Sequence, residues 1–140
     1  MPASIPILLK ENEVLSSDVP HPYIHAVVRE RITLDTGSGL LFVRTVEIMH
    51  LKANGNYSFV FLENGERHLA AQSLVAFERI LPSPLFFRAH QSHIVNTAFV
   101  RKLTKNDGLM MIDKSAVPLA RRRKELFIET MERSHQAPFR

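Results

Sequence analysis

The amino-acid sequence predicts a mostly β protein whose strands are mainly antiparallel, with two short helices. Three observations carry this expectation. Residues alternate with a period of two from Tyr57 to Leu62, with Tyr57, Phe59 and Phe61 on one face and Val60 and Leu62 between them. Tight-turn pairs recur along the chain at Asn54-Gly55, Asn64-Gly65 and Asp107-Gly108. The connections are too brief for crossover helices, so neighbouring strands should pair antiparallel. This is not the alternating βαβ pattern of a nucleotide-binding sheet, and the helices are too few for an ordinary helix-turn-helix domain.

Taken in order, Arg31 to Asp35 reads as the first strand, and Gly37-Ser38-Gly39 turns it into Leu40 to Arg44. Ile48 to Lys52 and Tyr57 to Leu62 follow. Asn64-Gly65 is the strongest hairpin signal, because both positions tolerate positive φ, and Arg67 to Ala71 is the return strand. Ser73 can cap a short helix to Leu81, with Leu74, Phe77, Ile80 and Leu81 on one face and Pro82 as its stop. Strands resume at Phe86 to Ala89, around Ile94-Val95, at Phe99 to Leu103 and at Leu109 to Ile112, the last pair turned by Asp107-Gly108. A short strand at Ala116 to Pro118 precedes a helix from Arg121 to Arg133, whose buried side is Leu126, Phe127 and Met131. Residues 1–25, with prolines at 2, 6, 20 and 22, read as a tail or linker, 26–134 as the single domain and 135–140 as a C-terminal tail.

Composition narrows the functional classes. A chain of 140 residues can bury a core without staples, and its lack of cysteine removes disulfides and thiolate metal sites. No apolar run approaches the ~20 residues needed to cross a bilayer, and no signal peptide is visible, so a cytoplasmic protein without membrane contact is expected. The net charge is only +4, but it is unevenly placed. Between Arg88 and Lys124 nine Lys or Arg stand against two acids, Asp107 and Asp113; the rest holds nine basic and twelve acidic residues. That asymmetry points to a polyanion.

Three stretches are candidates for chemistry. FFRAHQSHIVN (86–96) is dense in polar groups between apolar anchors. His90 and Ser92 lack a third catalytic partner, and His90 and His93, three apart on one strand, should point to opposite faces and hold no common metal ion. VPLARRRKELF (117–127) sets four consecutive cations where a helix begins. The helix dipole disfavours cations there, and bound phosphate would resolve the conflict; a solvated loop with the helix starting nearer Glu125 is the plainer reading. KANGNYSFV (52–60) puts Lys52, Asn56 and Tyr57 around a tight loop, where an amide can read base edges and Lys and Tyr can hold phosphate; a plain β-turn explains it equally well.

In order and wording, these stretches resemble the LytTR DNA-binding family. The matching residues are VEIMHLKANGNYSFVFL (46–62), SLVAFERIL (73–81), FFRAHQSHIVNTAFVRKL (86–103) and VPLARRRKEL (117–126), so the resemblance spans about residues 30 to 133. It implies small, stacked, mainly antiparallel sheets and DNA binding by loops that enter successive major grooves, with a minor-groove contact between them. By motif, Asn56 and Arg121 fall at the major-groove positions and Gln91 at the minor-groove position. Lys52, Tyr57, Ser92, Lys102, Lys105, Arg122, Arg123 and Lys124 are the candidate phosphate contacts. Ala120 departs from the Ser that many members carry there, and this chain shows no receiver domain. The expectation is a non-enzymatic transcription regulator that needs no cofactor or metal. It binds double-stranded DNA, as a homodimer on promoter direct repeats, with a separate signalling protein as its input. The alternative is a β-rich protein-interaction or ligand-binding module whose basic face is incidental. Single-strand binding by stacked aromatics is disfavoured, because most of the nine Phe lie at alternating or helical core positions.

Overall fold

Among the described residues ten short strands form three separate sheets, and two α-helices close the layers. The computed structural model describes residues 30–136. The expected tail at 1–25 and domain start at 26–29 lie outside the described residues, as does the chain beyond 136. The strands are β1 (Arg31–Asp35), β2 (Leu40–Arg44), β3 (Ile48–Asn54), β4 (Tyr57–Leu62), β5 (Arg67–Ala70), β6 (Phe86–His90), β7 (His93–Asn96), β8 (Val100–Leu103), β9 (Gly108–Met111) and β10 (Ala116–Pro118). Helix α1 is Leu74–Ile80 and α2 is Lys124–Gln136, so α2 runs past the expected domain end at 134. Every pairing is antiparallel, in the orders β1-β2, β5-β4-β3-β7-β6 and β10-β9-β8.

The five-stranded sheet is the middle layer. Its alternating side chains feed two cores. Leu51, Val60, Leu62 and Ile94 pack with Ile32, Leu34 and Val43 of the β1–β2 ribbon and with Leu74 and Phe77 of α1. Met49, Phe87, Ala89 and Val95 turn the other way, toward Leu109, Met111 and Val117 of the third sheet and Phe127 of α2. A register shift between Ile48 and His50 lets β3 serve both cores.

Ser73 caps α1 as expected, its Oγ accepting from the Ala76 N–H at 3.2 Å. Ile80 and Leu126, however, are not core residues. They are 40% and 45% exposed, because Leu74, Phe77 and Leu81 fill the inner side of α1, and Phe127 that of α2, with Met131 half-buried. On β4 the aromatic face is the less buried one, and Ser58, Val60 and Leu62 point into the core.

The turns differ in type from the expectation. At Asn64-Gly65 only Gly65 has positive φ, at 94°. Gly65 N–H donates to Leu62 O and Leu62 N–H to Glu66 O, which is a three-residue loop ending in a left-handed residue rather than a two-residue turn. The same loop recurs at 105–107 and 112–114, with Asp107 (φ 61°) and Lys114 (φ 74°) in the left-handed position. Gly108 is thus the first residue of β9 and not the turn.

Candidate nucleic-acid interface

The first loop is the Gly55–Asn56 turn between β3 and β4, closed by the pairing of Asn54 with Tyr57. Gly55 has φ 63° at the first central position, where a side chain would be strained and a two-residue hairpin favours glycine. Asn56 and Tyr57 are therefore presented at the tip of the turn, both exposed, and Lys52 is exposed on β3.

The second loop is the Gln91–Ser92 turn between β6 and β7. Antiparallel pairing of β3 with both β4 and β7 brings the two turns to the same end of the middle sheet. Ala53 N–H donates to Ser92 O at 2.8 Å and ties them together. Arg88 grips the same turn from below. Its Nε donates to His90 O at 3.0 Å, one Nη to Gln91 O at 2.8 Å, and the other pairs with Glu78. Gln91 is left exposed. Sequence reasoning counted Arg88 only as one more cation; an Arg three residues before the turn it holds is a local pattern that could have been read.

His90 and His93 do not lie on one strand, which corrects the reading of them as three apart on opposite faces. The hairpin pairs them across β6 and β7, with ring centroids 6.4 Å apart. Ser92 bridges them. Its N–H donates to His90 Nδ1, so that nitrogen is an acceptor; the Ser92 hydroxyl then donates to it at 2.8 Å and accepts from His93 Nδ1–H at 2.7 Å. The hydroxyl expected at phosphate is thus already engaged. Behind this chain His50 is buried, stacked on Phe61 at 4.3 Å. Burial is the chief cause that lowers the pKa of His50 and takes that of His93 down to about 4, with the neighbouring charges adding to it for His93. Among the described residues no three His, Asp or Glu converge on a metal-sized space.

The third segment is Arg121–Arg123, one 3-10 turn that leads into α2. The three arginines thus sit neither in a loose loop nor inside the α-helix proper, and Lys124 is its first residue. Ala120 N–H donates to Ala89 O at 2.8 Å, which fastens the segment to β6 beside the Gln91 turn. Ala120 makes no side-chain cap. Arg123 folds inward: Nε donates to Arg88 O at 3.0 Å, and the guanidinium lies 4.9 Å from the centre of the Phe87 ring. Lys124 pairs with Asp107 at 2.8 Å and, with Arg121, holds that carboxylate below its usual range. Arg121 and Arg122 are exposed. Lys105 is in the loop whose Asp107 pairs with Lys124 at the start of α2, whereas Lys102 lines a hollow shared with Phe127 and Met131. Along this end of the molecule the order is Asn56, Gln91, Arg121, with the middle hairpin bonded to β3 through Ser92 O and to the Arg121 segment through Ala89 O of β6.

Known proteins are similar to this chain in sequence and fold. The family model described as the LytTr DNA-binding domain matches residues 38–132. A solved LytTr DNA-binding domain from Bacillus cereus superposes with a TM-score of 0.64 and 26% identity, covering 73% of this chain and 96% of that one. A CO-responsive transcriptional regulator, RcoM, of Rhodospirillum rubrum is 34% identical over 96 residues, which are 65% of this chain and 40% of the regulator. The sensory transduction protein LytT of Bacillus subtilis is 24% identical over 98 residues, 66% of this chain and 40% of that protein. This chain thus spans well under half the length of these curated relatives.

Proposed function

Since this chain belongs to the LytTr DNA-binding domain family, we propose that it is the DNA-reading part of a cytoplasmic, non-enzymatic transcription regulator, with Asn56 and Arg121 entering successive major grooves and Gln91 the minor groove between them. The observation that carries this reading is the hydrogen-bonded tie of three loops at one end of the middle sheet. Loops joined in this way hold a fixed spacing, which reading two grooves of a rigid duplex requires. Arg121 suits guanine, because a guanidinium can donate twice to O6 and N7. Lys52, Tyr57, Lys105 and Arg122 flank the reading positions as phosphate contacts, and Lys102 is the outlying one. Two copies bind direct repeats, and a separate protein supplies the signal.

The test is a titration of selected duplex, random duplex and single strand at two salt concentrations. With about four to six phosphates neutralised, log affinity against log salt should have a slope of about −4 to −5, and selected duplex should bind far more tightly than the other two. A slope near zero, or equal affinity for all three, overturns the proposal.

A further inference from the structure

A groove of about 600 Å³ runs between the end of α1, β6 and the outer side of α2, away from the loop tips. This size suits a small organic molecule. Its walls include Leu126, one of the two apolar residues found outside the core. Leu126, half exposed on α2, faces a floor made by Leu81, Phe87 and Ile94. Three guanidiniums, from Arg88, Arg123 and Arg133, line the same space against one lining carboxylate, Glu78, and Arg133 also pairs with Glu129 on α2 at 2.9 Å. An apolar floor with a net positive rim recognises a molecule with an apolar body and one negative group. Two of those arginines do more than line it. Arg88 holds the carbonyls of His90 and Gln91, and Arg123 holds the carbonyl of Arg88. The groove and the Gln91 turn therefore share side chains.

We propose that this groove binds a small amphipathic anion, a flat or extended apolar body bearing one carboxylate, and that occupancy is transmitted to the Gln91 turn through Arg88 and Arg123. The binding part stands without any assumption about DNA; the significance of the coupling rests on the groove-reading role proposed above. An incoming carboxylate competes with Glu78 for Arg88. Any shift of that guanidinium loosens two carbonyls at the tip of the β6–β7 hairpin.

The experiment uses 2-naphthoate as the probe and 2-naphthalenemethanol as its neutral counterpart, titrated into the full chain without DNA. Saturable one-to-one binding is expected for naphthoate, with the alcohol at least about tenfold weaker. Leu126→Gln should weaken naphthoate by about five- to tenfold through lost apolar contact, while leaving the affinity for duplex DNA without naphthoate unchanged. Glu78→Gln should tighten naphthoate, because it removes the competing carboxylate. Amide resonances of Gln91 and Ser92 should move in proportion to saturation. Absence of saturable binding, equal binding of the alcohol, or indifference to both variants overturns the site. Binding that leaves Gln91 and Ser92 unmoved overturns the coupling. Sedimentation run alongside decides whether a second copy takes the groove instead: a dimer that excludes naphthoate also overturns the site. If naphthoate binds but no DNA does, the function proposed above fails and the site survives.

Discussion

Arg121 and Arg122 are neighbours of Arg123 and Lys124 in one run of four cations, yet the two pairs do different work. The second pair faces the protein: Arg123 bonds to Arg88 O and covers Phe87, and Lys124 pairs with Asp107. The first pair faces outward, exposed on the 3-10 turn. A 3-10 turn advances three residues per revolution, so adjacent side chains point in widely different directions. A run of like charge is therefore not one surface. Half of it holds the segment in place so that the other half can be presented.

The most forceful way to break that comparison is to remove the inward arginine. Arg123→Ala loses a hydrogen bond to a half-buried carbonyl, the contact with Phe87 and the packed stem, so a loss of about 2 kcal/mol in urea unfolding is expected. DNA binding should weaken too, because Arg88 and the Gln91 turn lose their brace. If stability is unchanged, the inward assignment is wrong and all four cations belong to one solvated face.

Next in size is Arg121→Ala. It should leave urea stability within experimental error and cost about 1–3 kcal/mol on the selected duplex, with much less on random duplex. A folded variant that keeps full preference for its selected site would move sequence reading elsewhere, first to Asn56.

Lowering the pH separates brace from reading surface in another way. His93 is held neutral by burial, with its pKa down at about 4, and that of buried His50 is lowered for the same main reason. Below the unfolded value near 6.5 the unfolded chain takes up protons that the folded chain refuses. Stability is thus fully present above about pH 6.5 and falls as the pH drops toward 4. Melting temperature followed over that window should decline, and should decline less in His93→Gln. An identical pH profile for the variant would remove His93 from this account.

The fold was largely legible because its signals are local. Period-two alternation and closely spaced turn residues mark strands without any knowledge of partners, and all ten strands appear close to where those signals put them. Ser73 likewise announced the start of α1. What stayed hidden depended on contacts across the chain. No local pattern says that Arg123 will reach Arg88, thirty-five residues earlier, or that His90 and His93 face each other across a two-residue turn. Helical spacing alone set Ile80 and Leu126 among core residues, but each helix has one narrow buried side, and Phe77 and Phe127 fill it. The turn class at Asn64-Gly65 was misread for a related reason, since a glycine that permits positive φ does not fix how many residues the loop contains.

The smallest expected effect sharpens the comparison most, because it separates two adjacent, outward-facing arginines. Arg122 is assigned to a phosphate and Arg121 to a base. Every duplex offers the same backbone charge, so loss of Arg122 should weaken selected and random duplex alike, and the salt slope should become shallower by about 1. Stability should not move, since the side chain is exposed on the turn and its removal leaves no buried group unsatisfied. Arg122→Lys is the informative companion: a point charge serves a phosphate nearly as well as a planar guanidinium, so it should restore most of the affinity and the original slope, whereas Arg121→Lys should remain impaired on the selected site. The assignment fails if Arg122→Ala discriminates between the two duplexes while Arg121→Ala does not. The roles of the two residues would then be exchanged, and the direction in which the 3-10 turn presents them to DNA would have to be reversed.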